Sequence, residues 1–153
     1  MKLELGCGSK KTPGYVGIDI YDWSALYEGD FILGKIPAIL SCFTNNSIDR
    51  VKASHILEHI PQHNVIRTFN EVYRILAPNR QFDINIPPTT GKGAFADPTH
   101  VSFWNELSFR YFDMSWDSKL SKSYGIECNF KPIEIKLLSE NNLHVVLQKI
   151  ADK

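Results

Sequence analysis

The sequence predicts an α/β three-layer sandwich, and three features predict it. Short apolar strands recur before residue 60, the clearest helix stands between two strands, and the chain closes on a pair of strands with a polar joint. Alternation of this kind stacks helices on a mostly parallel sheet. A two- or three-residue joint makes the closing pair an antiparallel hairpin.

Taken in order, Leu3-Glu4-Leu5 is a short strand that ends at Gly6-Cys7-Gly8. Tyr15 to Ile20 is a second strand with the acid Asp19 near its end, and Asp30 to Leu33 is a third. Only Ser9 to Gly14 separate the first turn from the second strand, with Pro13 among them. A parallel crossover takes roughly 10–12 residues or more, so an irregular loop replaces the first helix, which is shortened or missing. Ser47 to Ala53 is a fourth strand, entered through Thr44-Asn45-Asn46.

Pro61 to Ala77 carries Val65, Ile66, Phe69, Val72, Tyr73 and Leu76 at helical spacing, an apolar stripe on one face. Pro61 suits its first turn, and Pro78-Asn79 stops it. Phe82 to Ile86 alternates as a strand closed by Pro87-Pro88. Thr89 to Thr99 is a Gly/Thr/Pro-rich loop, and Ser102 to Phe112 is expected to be a helix with an aromatic face. The closing strands are Ile133–Leu138 and His144–Ile150, joined by Glu140-Asn141-Asn142.

Composition narrows the function classes. The 153 residues, 43% of them hydrophobic with nine Phe, six Tyr and three Trp, suit one domain over residues 1–153 with a single core. Lys plus Arg and Asp plus Glu number 17 each. A formal charge of zero without basic runs disfavours nucleic acid as the main partner. Three widely spaced cysteines without a CxxC pair argue against a disulfide framework and a zinc knuckle and suit a reducing cytoplasm. No apolar run approaches the ~20 residues of a membrane span, and the amino terminus does not resemble a signal peptide.

A strand, Gly-x-Gly and a second strand ending in Asp form a nucleotide-site pattern. Glycine lets the backbone turn sharply and a ligand approach closely. Asp19 is placed to accept hydrogen bonds from the two hydroxyls of a ribose. The third glycine of a dinucleotide fingerprint is missing, since Ser9-Lys10-Lys11 follow. Without a first helix, a pyrophosphate has no N-terminus to rest on. That counts against NAD and FAD, and less against a nucleoside cofactor without phosphate.

Six ordered blocks carry a resemblance. They are Leu3-Glu4-Leu5-Gly6-Cys7-Gly8, Pro13 to Asp19, Ser47-Ile48-Asp49, His55-Ile56-Leu57-Glu58-His59-Ile60, Glu71 to Pro78, and Asp97-Pro98-Thr99-His100-Val101. Together they resemble class I S-adenosylmethionine-dependent methyltransferases of the type-11-like kind, small members of which occur in phage genomes. The resemblance implies a Rossmann-like sheet of about seven strands in the order 3-2-1-4-5-7-6, strand 7 antiparallel. It implies S-adenosylmethionine as cofactor, with Gly6, Cys7, Gly8, Asp19, Ile20, Ser54 and His55 around it. The chain departs from the pattern at Gly34, where relatives often place an acid near adenine, and at Pro78-Asn79-Arg80, where they often read Pro-Gly-Gly.

His55, His59 and His63 stand four residues apart, a spacing that on one unbroken helix would suit a metal. Pro61 falls among them, and no metal site is assigned. His59 is a candidate general base. His100, oriented by a buried Asp97, is a second, on the loop after the fifth strand where open α/β sheets place ligands. Trp104, Phe109, Tyr111 and Phe112 are assigned to core packing. The function expected is methyl transfer to O or N of a small-molecule acceptor. The alternative is a non-catalytic adenosylmethionine-binding module of the same fold.

Overall fold

The computed structural model describes residues 1–151. Seven strands form one sheet in the order β3-β2-β1-β4-β5-β7-β6. They are β1 (Lys2–Leu5), β2 (Val16–Asp19), β3 (Phe31–Leu33), β4 (Ile48–Ser54), β5 (Leu76–Ile86), β6 (Phe130–Ser139) and β7 (Asn142–Lys149). The first five run parallel, and β7 lies antiparallel between β5 and β6. Sheet order and hairpin are those the sequence led us to expect.

Register explains which face is covered. Leu3 lies beside Val16 and Val51, Val51 beside Phe82, and Phe82 beside Leu147. Leu5, Ile18, Ala53, Ile84 and Val145 form the next such row. Paired residues share a face, so these rows make one continuous apolar surface, and nearly all of it is fully buried. Helix α1 (Gln62–Ile75) lies on it. Phe69 of α1 stacks on Phe112 at 3.8 Å, meets Phe82 edge-on at 5.6 Å and stacks on Trp104 at 5.7 Å. This cluster is the centre of the core.

The opposite face shows what the missing first helix leaves behind. Its rows read Glu4, Lys52 and Asp83, then Lys2, Arg50 and Gln81. The loop over residues 6–15 takes the place of a helix there. Glu4, 5% exposed, accepts hydrogen bonds from the Thr12 amide and hydroxyl at 2.5 and 3.0 Å. Lys52 Nζ donates to the Thr12 hydroxyl at 2.5 Å and lies 3.2 Å from Glu4. Arg50 pairs with Asp83 on the same surface.

Helix α1 ends one turn before Pro78. Leu76 turns extended, and Lys149 Nζ of β7 donates to the carbonyls of Tyr73 and Leu76 at 2.7 and 2.9 Å. Those are carbonyls that a helix end leaves without intrahelical partners. Strand β5 therefore begins at Leu76, earlier than the alternation at Phe82 suggests. Asn79, at φ +64°, absorbs a bulge that moves the pairing from Ile48–Leu76 to Arg50–Gln81.

The expected helix over Ser102–Phe112 is corrected. Trp104 instead bridges to Pro88, and a 3-10 helix covers only Glu106–Phe112. The Ser102 hydroxyl is engaged by Leu57 O and Trp104 Nε1, so Asn105 caps the segment through the amide of Leu107. Among the described residues two further α-helices stand where none was expected: the single turn α2 (Gly93–Ala96) and α3 (Met114–Ser123), capped by Asp113. Among the described residues no helix is long and apolar enough to cross a membrane.

Candidate active site

The carboxyl ends of β1, β2 and β4 meet at one edge of the sheet. Gly6 and Gly8 both take positive φ, +63° and +54°, a region that disfavours side chains. The amides of Gly6 and Cys7 both donate to Ile18 O, at 2.7 and 3.3 Å, which fixes the turn against β2. Asp19 sits at the tip of β2, 9% exposed, and its carboxylate turns toward the glycines. Oδ2 accepts from the Gly8 amide at 2.9 Å and Oδ1 from the Tyr21 amide at 3.0 Å. Each carboxylate oxygen keeps a further acceptor direction.

Beside this acid lies a crevice of about 120 Å³, lined by Gly6, Asp19, Ile20 and Gly34 together with Ile36, Ile56, Ile60 and His59. Its walls are mostly aliphatic. Gly6 admits Ile56 at close range, since a β-carbon there would come within 2.5 Å of the Ile56 side chain. Of the residues expected around a cofactor, Gly6, Asp19 and Ile20 line the crevice. Gly8 does not line it, although its amide donates a hydrogen bond to Asp19. Cys7 turns its sulfur toward Gly17 instead. Burial and the charges of Asp19 and Glu4 push its thiol up to about 11, so it stays protonated. Ser54 ends β4 beside Asn85, outside the crevice.

A second cavity, about 340 Å³, opens on the other side of His59 between the ends of β4 and β5. His55, Glu58, His59, Asp97 and His100 line it. His55 follows β4 at φ +52° and sets its Nδ1 3.2 Å from Glu58 Oε1. That carboxylate raises the His55 pKa, with burial pulling the other way. His100, whose side chain is 8% exposed, points Nδ1 at Ala94 O, 2.9 Å away. His59 points Nδ1 at Thr99, 3.3 Å from its carbonyl and 3.1 Å from its hydroxyl. These partners assign the donor hydrogen to Nδ1 in both rings and turn Nε2 toward the cavity's other groups.

Asp97 departs from the expected buried orienter. It is about half exposed, and its Oδ1 accepts from the amide and hydroxyl of Thr99 at 2.8 and 2.7 Å. Those bonds hold its pKa below the usual carboxylate range. Its other oxygen stands 3.8 Å from His100 Nε2. The residues that sequence reasoning left out are Ile36, Ile56 and Ile60, whose aliphatic side chains carry no chemical signal. Ile56 follows the end of β4 by two residues, and that position is what marks it.

A mixed seven-strand sheet in this order, closed by an antiparallel hairpin, is a Rossmann-like fold of the kind found in S-adenosylmethionine-dependent methyltransferases. No protein-family profile matches the chain, and neither does any curated protein sequence. Solved structures do match over nearly its whole length. A SAM-dependent methyltransferase from Archaeoglobus fulgidus is similar at TM-score 0.67 and 16% identity, over 97% of this chain and 85% of that one. The Burkholderia thailandensis 1,6-didemethyltoxoflavin-N1-methyltransferase, solved with its substrate and S-adenosylhomocysteine, is similar at TM-score 0.69 and 14% identity, over 98% and 71%. A SAM-dependent methyltransferase from Methanosarcina mazei matches at TM-score 0.66 and 17% identity, over 99% and 92%. At such identities the likeness establishes the fold. It gives no support to a phage-type origin.

Proposed function

We propose that this chain is an S-adenosylmethionine-dependent methyltransferase acting on O or N of a small-molecule acceptor. One observation carries the reading: His59 forms part of two adjoining cavities, an aliphatic one that begins at Asp19 and a polar one lined by His55, Glu58 and His100. A nucleoside cofactor and an acceptor need that arrangement, two compartments that meet at one wall.

The residues present fit the cofactor. Asp19 has acceptor capacity for ribose hydroxyls, Gly8, where a β-carbon would meet nothing within 4 Å, leaves room for the methionine part, and Ile36, Ile56 and Ile60 offer an apolar slot for the base. Among the described residues no α-helix follows the glycine turn before β2, which favours a ligand without phosphates. When bound, the cofactor supplies an electrophilic methyl on sulfonium. The chain's own part is then to hold two reactants in line and exclude water. A nucleophile that keeps its proton at neutral pH needs a base within reach. His59 Nε2 is that base in our reading, with His100 beside it at 4.8 Å between ring centres and Asp97 at the rim. Neighbouring folds include the 1,6-didemethyltoxoflavin-N1-methyltransferase, which supports N-methylation of a small-molecule acceptor.

Calorimetric titration with S-adenosylmethionine and S-adenosylhomocysteine tests the reading. We expect both to bind, and Asp19→Ala to weaken each by roughly ten- to a hundredfold, as befits losing hydrogen bonds to a charged acceptor at about 1.5–3 kcal/mol. Equal binding to wild type and variant would refute the assignment of Asp19.

A further inference from the structure

Glu58 has a feature that base catalysis leaves unused. The residue is 1% exposed, yet its Oε2 accepts no hydrogen bond among the described residues. A buried carboxylate oxygen without a partner is costly. What lies around it explains the cost. One carboxylate oxygen of Glu58 and one ring nitrogen each from His59 and His100 lie within 4.8 Å of one another. Some point in space is therefore within about 2.8 Å of all three, and metal–ligand bonds of about 2.0–2.2 Å need only a small inward closure.

The surrounding chain is arranged as a metal site requires. Both imidazoles turn Nδ1 to a fixed partner, Thr99 for His59 and the Ala94 carbonyl for His100, which frees Nε2 for an ion. The other oxygen of Glu58 is oriented by His55. The Glu58 carbonyl accepts the amides of Val101 and Ser102 at 2.8 and 3.1 Å, so the loop bearing His100 is tied to the segment bearing the other two ligands.

We propose that Glu58, His59 and His100 form a site for a divalent first-row transition ion, of the two-histidine, one-carboxylate type. Two imidazoles favour Zn²⁺, Co²⁺ or Fe²⁺ over Mg²⁺ and Ca²⁺, which prefer all-oxygen ligands. The remaining coordination positions open on the 340 Å³ cavity, where an oxygen or nitrogen of an acceptor can enter. An acceptor hydroxyl bound to the ion would be acidified and lose its proton to water in the open cavity, so that it would need neither His59 nor His100 as its base. This last step rests on the methyl-transfer reading, whereas the site itself does not.

The test reads metal alone. Chelator-treated protein is titrated with Co²⁺ and Zn²⁺ by calorimetry and by the visible ligand-field spectrum of Co²⁺. We expect one equivalent to bind, and His59→Ala, His100→Ala and Glu58→Gln each to weaken it at least tenfold. His63→Ala, a change on the exposed side of α1, leaves it as it was. Circular dichroism checks each fold, and His100→Gln, which keeps a donor for Ala94 O, stands in if the alanine variant unfolds. No stoichiometric binding, binding that survives loss of both His59 and His100, or binding abolished by His63→Ala would each overturn the site. None of these results bears on Asp19 or on cofactor binding, so the two readings fail separately.

Discussion

Gly6 and Gly8 adopt similar backbone angles but stand in different surroundings, and that difference is measurable. A β-carbon at Gly6 collides with Ile56, whereas one at Gly8 meets nothing within 4 Å. Gly8→Ala should lose only the left-handed backbone term, about 1–2 kcal/mol. Gly6→Ala adds overpacking of about 1–3 kcal/mol. Denaturant unfolding of the two variants should therefore rank Gly6→Ala as the more damaging, and the reverse order would show that Ile56 yields freely. His55 offers a second prediction. Its pKa is raised in the folded chain by Glu58, so the stabilisation is complete below the ordinary imidazole value and lost as pH rises through the raised one. With chelator present, the gap in Tm between wild type and His55→Ala should be wider at about pH 5.5 than at about pH 8.5. A gap that stays constant would deny the pair its role.

Among the elements, the loop over residues 6–15 replaces a helix by polar bonds, and the Glu4 carboxylate is its anchor. Glu4→Ala leaves the Thr12 amide without its acceptor and Lys52 without its counter-charge, a loss of about 1–3 kcal/mol. Amide exchange at Thr12 should accelerate in that variant, and unchanged protection would mean that the loop is held by other contacts. The shortened loop was readable because Pro13 and a six-residue gap leave no room for a crossover helix. The stripe of α1 was equally plain, since Phe69, Val72 and Tyr73 all reach the core. Elements decided by side-chain competition were not readable. Ser102 is an apt helix cap until Leu57 and Trp104 engage its hydroxyl. Helix α3 is broken in conformation at Asp117 and has no clear apolar stripe to announce it. Strand β5 reaches back to Leu76 because Lys149, distant in sequence, terminates α1.

For the molecule as a whole, the sheet brings the ends of β1, β2, β4 and β5 to one edge, and both cavities open there. Sequence order alone pointed to Asp19 and the glycines because strand-end acids and positive-φ turns have local signatures. It pointed to His59 and His100 by motif order, but not to their meeting with Glu58. That meeting depends on the Thr99 and Ser102 bonds across 40 and more residues. The histidine spacing of four residues drew attention to His55 and His63, whereas folding selects His59 with a partner from another loop. Crystallisation with S-adenosylhomocysteine tests the central claim most directly. The account predicts both ribose hydroxyls on the Asp19 carboxylate, the base among Ile36, Ile56 and Ile60, and the sulfur facing His59. A ligand seated elsewhere, or a ribose out of reach of Asp19, would contradict it.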